Sequence, residues 1–280
     1  MSLNMPSLNT ASLDTPATIA IVGSGPVGLE AALYARFLGY TVNLYERGKV
    51  AEHVRNCGEL PWPATFQESC SSLGLAALLA QEPGWQPPRA DAKLTAAEYL
   101  QFYLLPLSET DLLVDWIQTE SEIVQIECVP VSEDATAMID ELENDEDNID
   151  DDDDDTDSED DAEVDEEDAP RRAIKFRLTI RNSTGEVRTA TSDAVLDCTG
   201  THGSPSAIRF VPKAGVENEV APDNGQSSPT DLMLVAPFYF VLGESRPDDP
   251  LIVSLNQICR LFAIFGGREN LNLYATIAMQ

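Results

Sequence analysis

Six consecutive residues near the start of the chain, Gly23-Ser24-Gly25-Pro26-Val27-Gly28, have the spacing of a phosphate cradle. Backbone N–H groups can meet the oxygens of a diphosphate only where no side chain stands between them. Gly23 would make the tight turn, Gly25 would let the backbone approach a pyrophosphate, and Gly28 with Ala32 would let a helix pack close to the strand before it. The helix opening there offers its free N–H groups to the negative charge. Glu46 falls about 20 residues beyond the glycines, where a carboxylate accepts hydrogen bonds from a ribose diol. Arg47 follows directly and offers a different chemistry, pairing with a 2′-phosphate if the nucleotide were NADP, although the charge of Glu46 would repel that phosphate.

These residues need a strand, a helix and a second strand to hold them, and the sequence provides all three. Residues 18–22 are an apolar strand. Leu29, Leu33 and Leu38 lie on one apolar helical face, Gly39 is placed to stop the helix, and residues 41–45 form the second strand, ending at Glu46. Farther on, residues 193–200 read Asp-Ala-Val-Leu-Asp-Cys-Thr-Gly, a buried strand that ends on Thr199-Gly200. A small pair at the carboxyl edge of a parallel sheet lets backbone approach a ligand in the crevice there. His202 comes just after it and is a candidate cofactor contact, set against an ordinary loop position. His53, alone in a loop after the second strand, is a weaker candidate proton relay. Cys198 reads as inert packing in its apolar strand, Cys57 as a single thiol, and Trp62, Trp85 and Trp116 as core and loop packing.

Between these anchors, residues 47–88 read as irregular, with prolines bracketing one short apolar helix around residues 73–79. Residues 95–105 read as a helix, with Thr95 and Glu98 as a capping box and Pro106 as its end. Strands are expected at 121–131, 173–181 and 186–191, the last two joined by the turn Asn182-Ser183-Thr184-Gly185. Residues 203–229 read as loop for much of their length. Residues 260–265 read as a further short strand, followed by Gly266-Gly267 and a helical stretch to Gln280.

The formal charge of −32 over 280 residues is concentrated in one tract. Residues 133–168 hold 23 of the 49 acidic residues and no lysine or arginine, so the rest of the chain sets 26 acids against 17 bases. Such a tract repels itself and has almost nothing to bury, which makes it a disordered loop inserted between two strands of a meander. Outside it the chain is only moderately acidic, which gives no reason to expect nucleic acid or an anionic membrane as a partner. The hydrophobic fraction of 43% is that of a globular protein able to bury a core. No segment reaches the roughly 18 uninterrupted apolar residues of a membrane helix. Residues 1–16 are polar, without the basic start and apolar stretch of a signal peptide. The five cysteines are widely spaced with no CxxC, which argues against a disulfide framework, a zinc site or a redox-active dithiol and for reduced thiols in the cytoplasm.

With the glycine fingerprint, Glu46 and the Thr199-Gly200 strand end in place, the chain resembles the flavoproteins that carry two dinucleotide-binding domains. More narrowly, it is similar to the flavin-containing monooxygenase and pyridine-nucleotide oxidoreductase-like group. The similarity covers residues 18–203 and is strongest over 18–46. It implies an α/β fold: a Rossmann-type FAD-binding domain with a parallel sheet and an inserted β-meander, followed by an incomplete second nucleotide-binding unit. The implied map is a disordered lead over 1–17, the FAD-binding domain over 18–205 and the partial second unit over 206–280. The implied cofactors are FAD and NAD(P)H. By the resemblance, the glycines of the Gly23–Gly28 turn would line the FAD pyrophosphate, Glu46 would hold the adenosine ribose, and Thr199-Gly200 would face the flavin. The chain departs from the group where a second glycine fingerprint should stand, since Gly266-Gly267 is a doublet, and the group's closing Gly-Asp strand has no counterpart. Those departures leave a second expectation open: a non-catalytic nucleotide-binding or interaction protein on half of a flavoenzyme fold.

Overall fold

The computed structural model describes residues 12–81, 84–130, 174–200, 208–212, 232–243, 251–268 and 271–278. The acidic tract at 133–168 and His202 lie outside the described residues. The fold is mixed α/β, built on a sheet whose strands are mostly parallel. Its centre is the unit expected from the glycine motif: β1 (Thr18–Val22), α1 (Pro26–Phe37) and β2 (Thr41–Tyr45), with β1 and β2 parallel. On the other side of β1 lies β9 (Ala194–Asp197), parallel and buried along its whole length. A strand buried on both faces reads as a continuous apolar run, which is why Ala194-Val195-Leu196 shows no alternation.

A short strand, β5 (Ile117–Gln118), extends the sheet beyond β2. Beyond β9 come β12 (Tyr239–Val241), parallel, and β11 (Met233–Ala236), antiparallel at the edge. The second sheet is the expected meander. In it β6 (Ser121–Pro130), β7 (Ile174–Asn182) and β8 (Val187–Ser192) pair antiparallel, and β10 (Arg209–Val211) joins β6 on its far side. Ile126, Phe176, Leu178 and Ile180 are its buried face, and Phe176 meets Tyr239 of the main sheet edge-on at 6.0 Å. The register pairs Pro130 with Ile174, so the two ends that flank the acidic tract lie side by side.

A helical layer packs on the main sheet through α1. Residues 251–265, expected to finish in a strand, instead form one helix, α6 (Leu251–Phe265), packed on α1. The apolar run at 261–265 is too short to separate strand from helix by itself. What decides is the period over the longer segment, since Leu255, Ile258, Leu261, Phe262 and Phe265 share one buried face. Gly266-Gly267 ends that helix rather than opening a phosphate turn; Gly266 N–H donates to the Phe262 carbonyl at 2.9 Å. A short helix, α7 (Leu273–Ala278), follows and lies against α3 (Ser72–Gln81). The described parts of 206–280 thus extend the first sheet, the meander and the helical layer. Residues 12–17 also belong to the packed body: Leu13 is buried, its N–H donates to the Phe265 carbonyl at 2.9 Å, and its carbonyl accepts from the Tyr40 hydroxyl at 2.8 Å.

The segment after Glu46 is more ordered than its prolines suggest. It holds α2 (Glu52–Cys57), β3 (Pro61–Thr65) and α3, with β3 pairing β4 (Lys93–Thr95) in a two-stranded sheet. Prolines are tolerated there because an isolated pair is all edge. The capping box forms as expected: Thr95 Oγ1 accepts from Glu98 N–H at 3.2 Å and Glu98 accepts from Thr95 N–H at 2.8 Å. Pro106 does not end the helix, however. From α4 (Ala96–Tyr99) the chain widens into a π-helical stretch (Leu100–Leu104) and continues as α5 (Leu105–Ser108). Proline deprives the carbonyl four residues back of its donor. That carbonyl belongs to Phe102, and the Trp85 indole N–H donates to it at 3.2 Å. Among the described residues no helix is long and apolar enough to cross a membrane.

Candidate functional site

The glycine turn is built as its spacing demands. Gly23 leaves β1 at φ +96, in the left-handed region, and its N–H donates to the Tyr45 carbonyl at 2.8 Å. A Cβ on Gly23 would lie 3.0 Å from the Cys198 carbonyl, so the turn sits hard against the end of β9. Gly28 serves packing: a Cβ there would stand 1.8 Å from the Gly23 carbonyl oxygen. Gly25 differs from both. Its φ of −66 suits any residue, and a Cβ there would meet nothing within 4 Å. The packed structure therefore has no need of glycine at 25, whereas a ligand lying over the turn would.

Pro26 opens α1 at a position where a missing N–H costs nothing. The helix starts with no side-chain cap and no acidic residue in its first turn. The Val27 and Gly28 N–H groups, which have no acceptor within the helix, keep their pull on an external anion. Val27 itself packs on Gly243, which follows β12 at φ +77 and would bring a Cβ within 3.0 Å of the Val27 side chain. Gly243 N–H donates to Gln257 Oε1 of α6 at 3.0 Å, which ties this edge of the crevice to the helical layer. Sequence reasoning missed Gly243, because its role depends on a contact with Val27 that no local pattern signals.

Glu46 is buried at the end of β2 and is already engaged. Its Oε2 accepts from Ser24 N–H at 2.9 Å and from the Ser24 hydroxyl at 2.8 Å, while Oε1 accepts from Gly48 N–H at 3.1 Å. Ser24 Oγ in turn accepts from Ala51 N–H at 2.9 Å. The acid therefore braces the glycine turn directly. A carboxylate has about four acceptor positions, so one remains on the Oε1 side for a hydroxyl donor. Arg47, beside it, is exposed. At the end of β9, Thr199 donates twice to Asp197 Oδ1, from its N–H at 3.0 Å and its hydroxyl at 2.6 Å. Gly200 adopts φ +57. Ser24, Gly25, Glu46, Thr199 and the first turn of α1 thus come together at the carboxyl edge of the parallel strands, where open α/β sheets bind ligands.

Of the remaining sequence candidates Cys198 adjoins this edge, its carbonyl 3.0 Å from where a Cβ on Gly23 would stand. His53 sits on α2, not in a loop, and is exposed. Cys57 ends the same helix and is half-buried. Cys198 is buried, and burial pushes its thiol well above the ordinary range, as inert packing requires. Trp62 stacks on Tyr99 at 4.6 Å, and Trp116 lies under the Arg36 guanidinium at 4.3 Å.

A second polar cluster lies inside the molecule and carries no sequence signature. Glu30, in the second turn of α1, has no solvent exposure at all. Its Oε1 accepts from the Tyr103 hydroxyl at 2.5 Å and its Oε2 from the Ser71 hydroxyl at 2.7 Å. Burial, only partly opposed by these donors, pushes its carboxyl up to about 7. A charged residue on a helix normally reads as solvent-facing, and only the packing of α3, the π-helical stretch and α7 over it reverses that.

No family model matches the sequence, and no curated protein matches it. Solved structures are similar in fold over about two thirds of the chain. Bacillithiol disulfide reductase Bdr (YpdA) from Bacillus cereus aligns with a TM-score of 0.40 at 12% identity, covering 66% of this chain and 40% of that one. An oxidized steroid monooxygenase bound to NADP aligns with a TM-score of 0.40 at 16% identity, covering 67% and 27%. OTEMO in complex with FAD and NADP aligns with a TM-score of 0.39 at 13% identity, covering 67% and 26%. The aligned region is well under half of each of these proteins.

Proposed function

We propose that the chain binds FAD along the carboxyl edge of its parallel sheet and is a flavin-dependent oxidoreductase, NAD(P)H-using and monooxygenase-like. The observation that carries this reading is the contrast within the glycine turn: Gly28 is needed to pack the fold, while Gly25 faces open space. In this reading the amides of Gly25, Val27 and Gly28 hold the pyrophosphate, Glu46 takes the adenosine ribose, and Thr199-Gly200 borders the flavin. Ser24 acts as a positioning residue, holding the Glu46 carboxylate in place through two hydrogen bonds. Arg47, exposed beside an acid, is poorly placed to favour a 2′-phosphate. When bound, FAD supplies two-electron transfer between a reduced nicotinamide and oxygen or an organic acceptor. The protein's part is binding, orientation and exclusion of water, and Gly23 and Gly243 fit that part by closing the turn tightly against its neighbours.

One observation favours a second reading. Gly266-Gly267 terminates α6, so a second phosphate turn is not built there. The alternative is a protein that binds the nucleotide but does not turn over NAD(P)H. Protein purified or reconstituted with FAD should be yellow and should consume NADPH in the presence of oxygen. Flavin binding without NADPH oxidation above background supports the alternative, and a colourless protein that takes up no FAD contradicts both.

A further inference from the structure

The Glu30 cluster is built from four separate elements and, among the described residues, contains no cation. Glu30 comes from α1, Ser71 from the residue before α3, Tyr103 from the π-helical stretch and Tyr274 from α7. Tyr103 and Ser71 donate to the carboxyl, and Ser71 Oγ also accepts from Gly74 N–H at 2.8 Å. The Tyr274 hydroxyl is buried facing the same carboxyl. The other titratable groups packed around it are Cys70, Tyr99, Tyr34 and Cys259, all neutral at physiological pH. Among the described residues no lysine or arginine pairs with Glu30.

A buried carboxyl surrounded by neutral groups, with no cation beside it among the described residues, is comfortable protonated and costly ionised. Of the four elements α7 is a short helix of six residues. It covers the cluster with Tyr274, whose ring meets Tyr34 at 5.2 Å, packs Leu273 and Ile277 on the core, and has two polar ties: the Ser72 hydroxyl donates to the Tyr274 carbonyl at 2.6 Å and Leu273 N–H donates to Tyr34 Oη at 3.1 Å. Beside it a cavity of about 310 Å³, lined by Cys70, Ser71, Asn256, Asn272 and Tyr274 among others, already brings open space to the edge of the cluster. That volume holds several water molecules.

We propose that α7 is a proton-controlled latch, docked over Glu30 while that carboxyl is protonated and released to let water in as it ionises. The latch is independent of what binds at the Gly23 turn. By linkage, a group that titrates near 7 when covered and near 4.5 when hydrated shifts the opening equilibrium about tenfold per pH unit between those values, up to about 300-fold in all. The test is amide hydrogen exchange on the whole chain across pH 5 to 9, corrected for intrinsic exchange. Protection of residues 273–278 should fall by up to about two orders of magnitude while that of β1 and β9 stays level. In Glu30→Gln the protection of α7 should become independent of pH. A level profile in the wild type, or the same fall in Glu30→Gln, overturns the proposal. Should Glu30→Gln fail to fold, Tyr103→Phe carries the test: loss of a donor to the ionised form moves the midpoint of α7 release to higher pH, and an unmoved midpoint overturns the latch.

Discussion

Two buried carboxylates, Glu46 and Glu30, belong to the same βαβ unit and are held by opposite means. Glu46 accepts from two backbone N–H groups and one hydroxyl at the open edge of the sheet. Glu30 accepts from the Tyr103 and Ser71 hydroxyls in the layer between helices. Backbone amides are fixed dipoles that cannot rotate away from a charge, and near the sheet edge they are reinforced by the start of α1. The hydroxyls at Glu30 favour its ionised form too, but too weakly to offset complete burial. The first arrangement fixes a carboxyl in place beside a ligand; at Glu30 burial outweighs the donors and makes ionisation expensive.

The same contrast separates the glycines, and the largest expected effect lies there. Gly28→Ala places a methyl group 1.8 Å from the Gly23 carbonyl, with backbone on both sides of the contact. It should cost more than about 4 kcal/mol and leave the chain largely unfolded in thermal denaturation. Gly25→Ala, facing open space at an ordinary φ, should melt with the wild type. Equal melting of the two variants would erase the distinction between a packing glycine and a ligand glycine.

Glu30 comes next. Its folded-state value of about 7 exceeds the ordinary 4.5, so its contribution to stability is fully present below pH 4.5 and is lost as pH rises to 7 and beyond. The loss is about 3 kcal/mol, since the group is fully buried. Denaturant unfolding at pH 5 and pH 8 should show Glu30→Gln losing less stability over that interval than the wild type, by an amount of that order. At Glu46 the prediction concerns affinity. Glu46→Ala removes a charge-assisted acceptor worth about 1.5–3 kcal/mol, so FAD should bind roughly ten- to a hundredfold more weakly. It also strips three donors of their acceptor, so some stability should be lost with it.

The smallest effect is expected from replacing residues 133–168 with a short turn. Pro130 and Ile174 are already paired, so the strands beside the tract can be joined locally. Loop-closure entropy changes slowly with length, and removing 23 like charges relieves a repulsion that salt screens. Stability should rise by at most a few kcal/mol and become less dependent on salt, with FAD affinity unchanged. Loss of folding on deletion would make the tract an integral part of the domain.

What the sequence revealed follows the same division. The Gly23–Gly28 turn, Glu46 at the end of β2, the Thr95–Glu98 box and the alternation of β7 are local patterns, and each is found where its spacing placed it. The misreadings come from features decided at long range. The run at 261–265 is apolar in either period, and only the full length of α6 makes it helical. Pro106 stops an isolated helix, yet here Trp85 supplies the missing donor from 17 residues away. Glu30 depends on Ser71 and Tyr103, 41 and 73 residues distant, and a charged residue in a helix announces nothing of such partners.

The decisive measurement is a fluorescence titration of FAD into the wild type and Gly25→Val, with a melting curve for each. The introduced isopropyl group would leave the fold intact, because space is open beside Gly25, and would stand where the pyrophosphate lies. The expected result is saturable FAD binding by the wild type and none by Gly25→Val, with both melting at the same temperature. Undiminished FAD binding by a folded Gly25→Val, or no binding by the wild type, would contradict the assignment of the Gly23–Gly28 turn as the flavin nucleotide site.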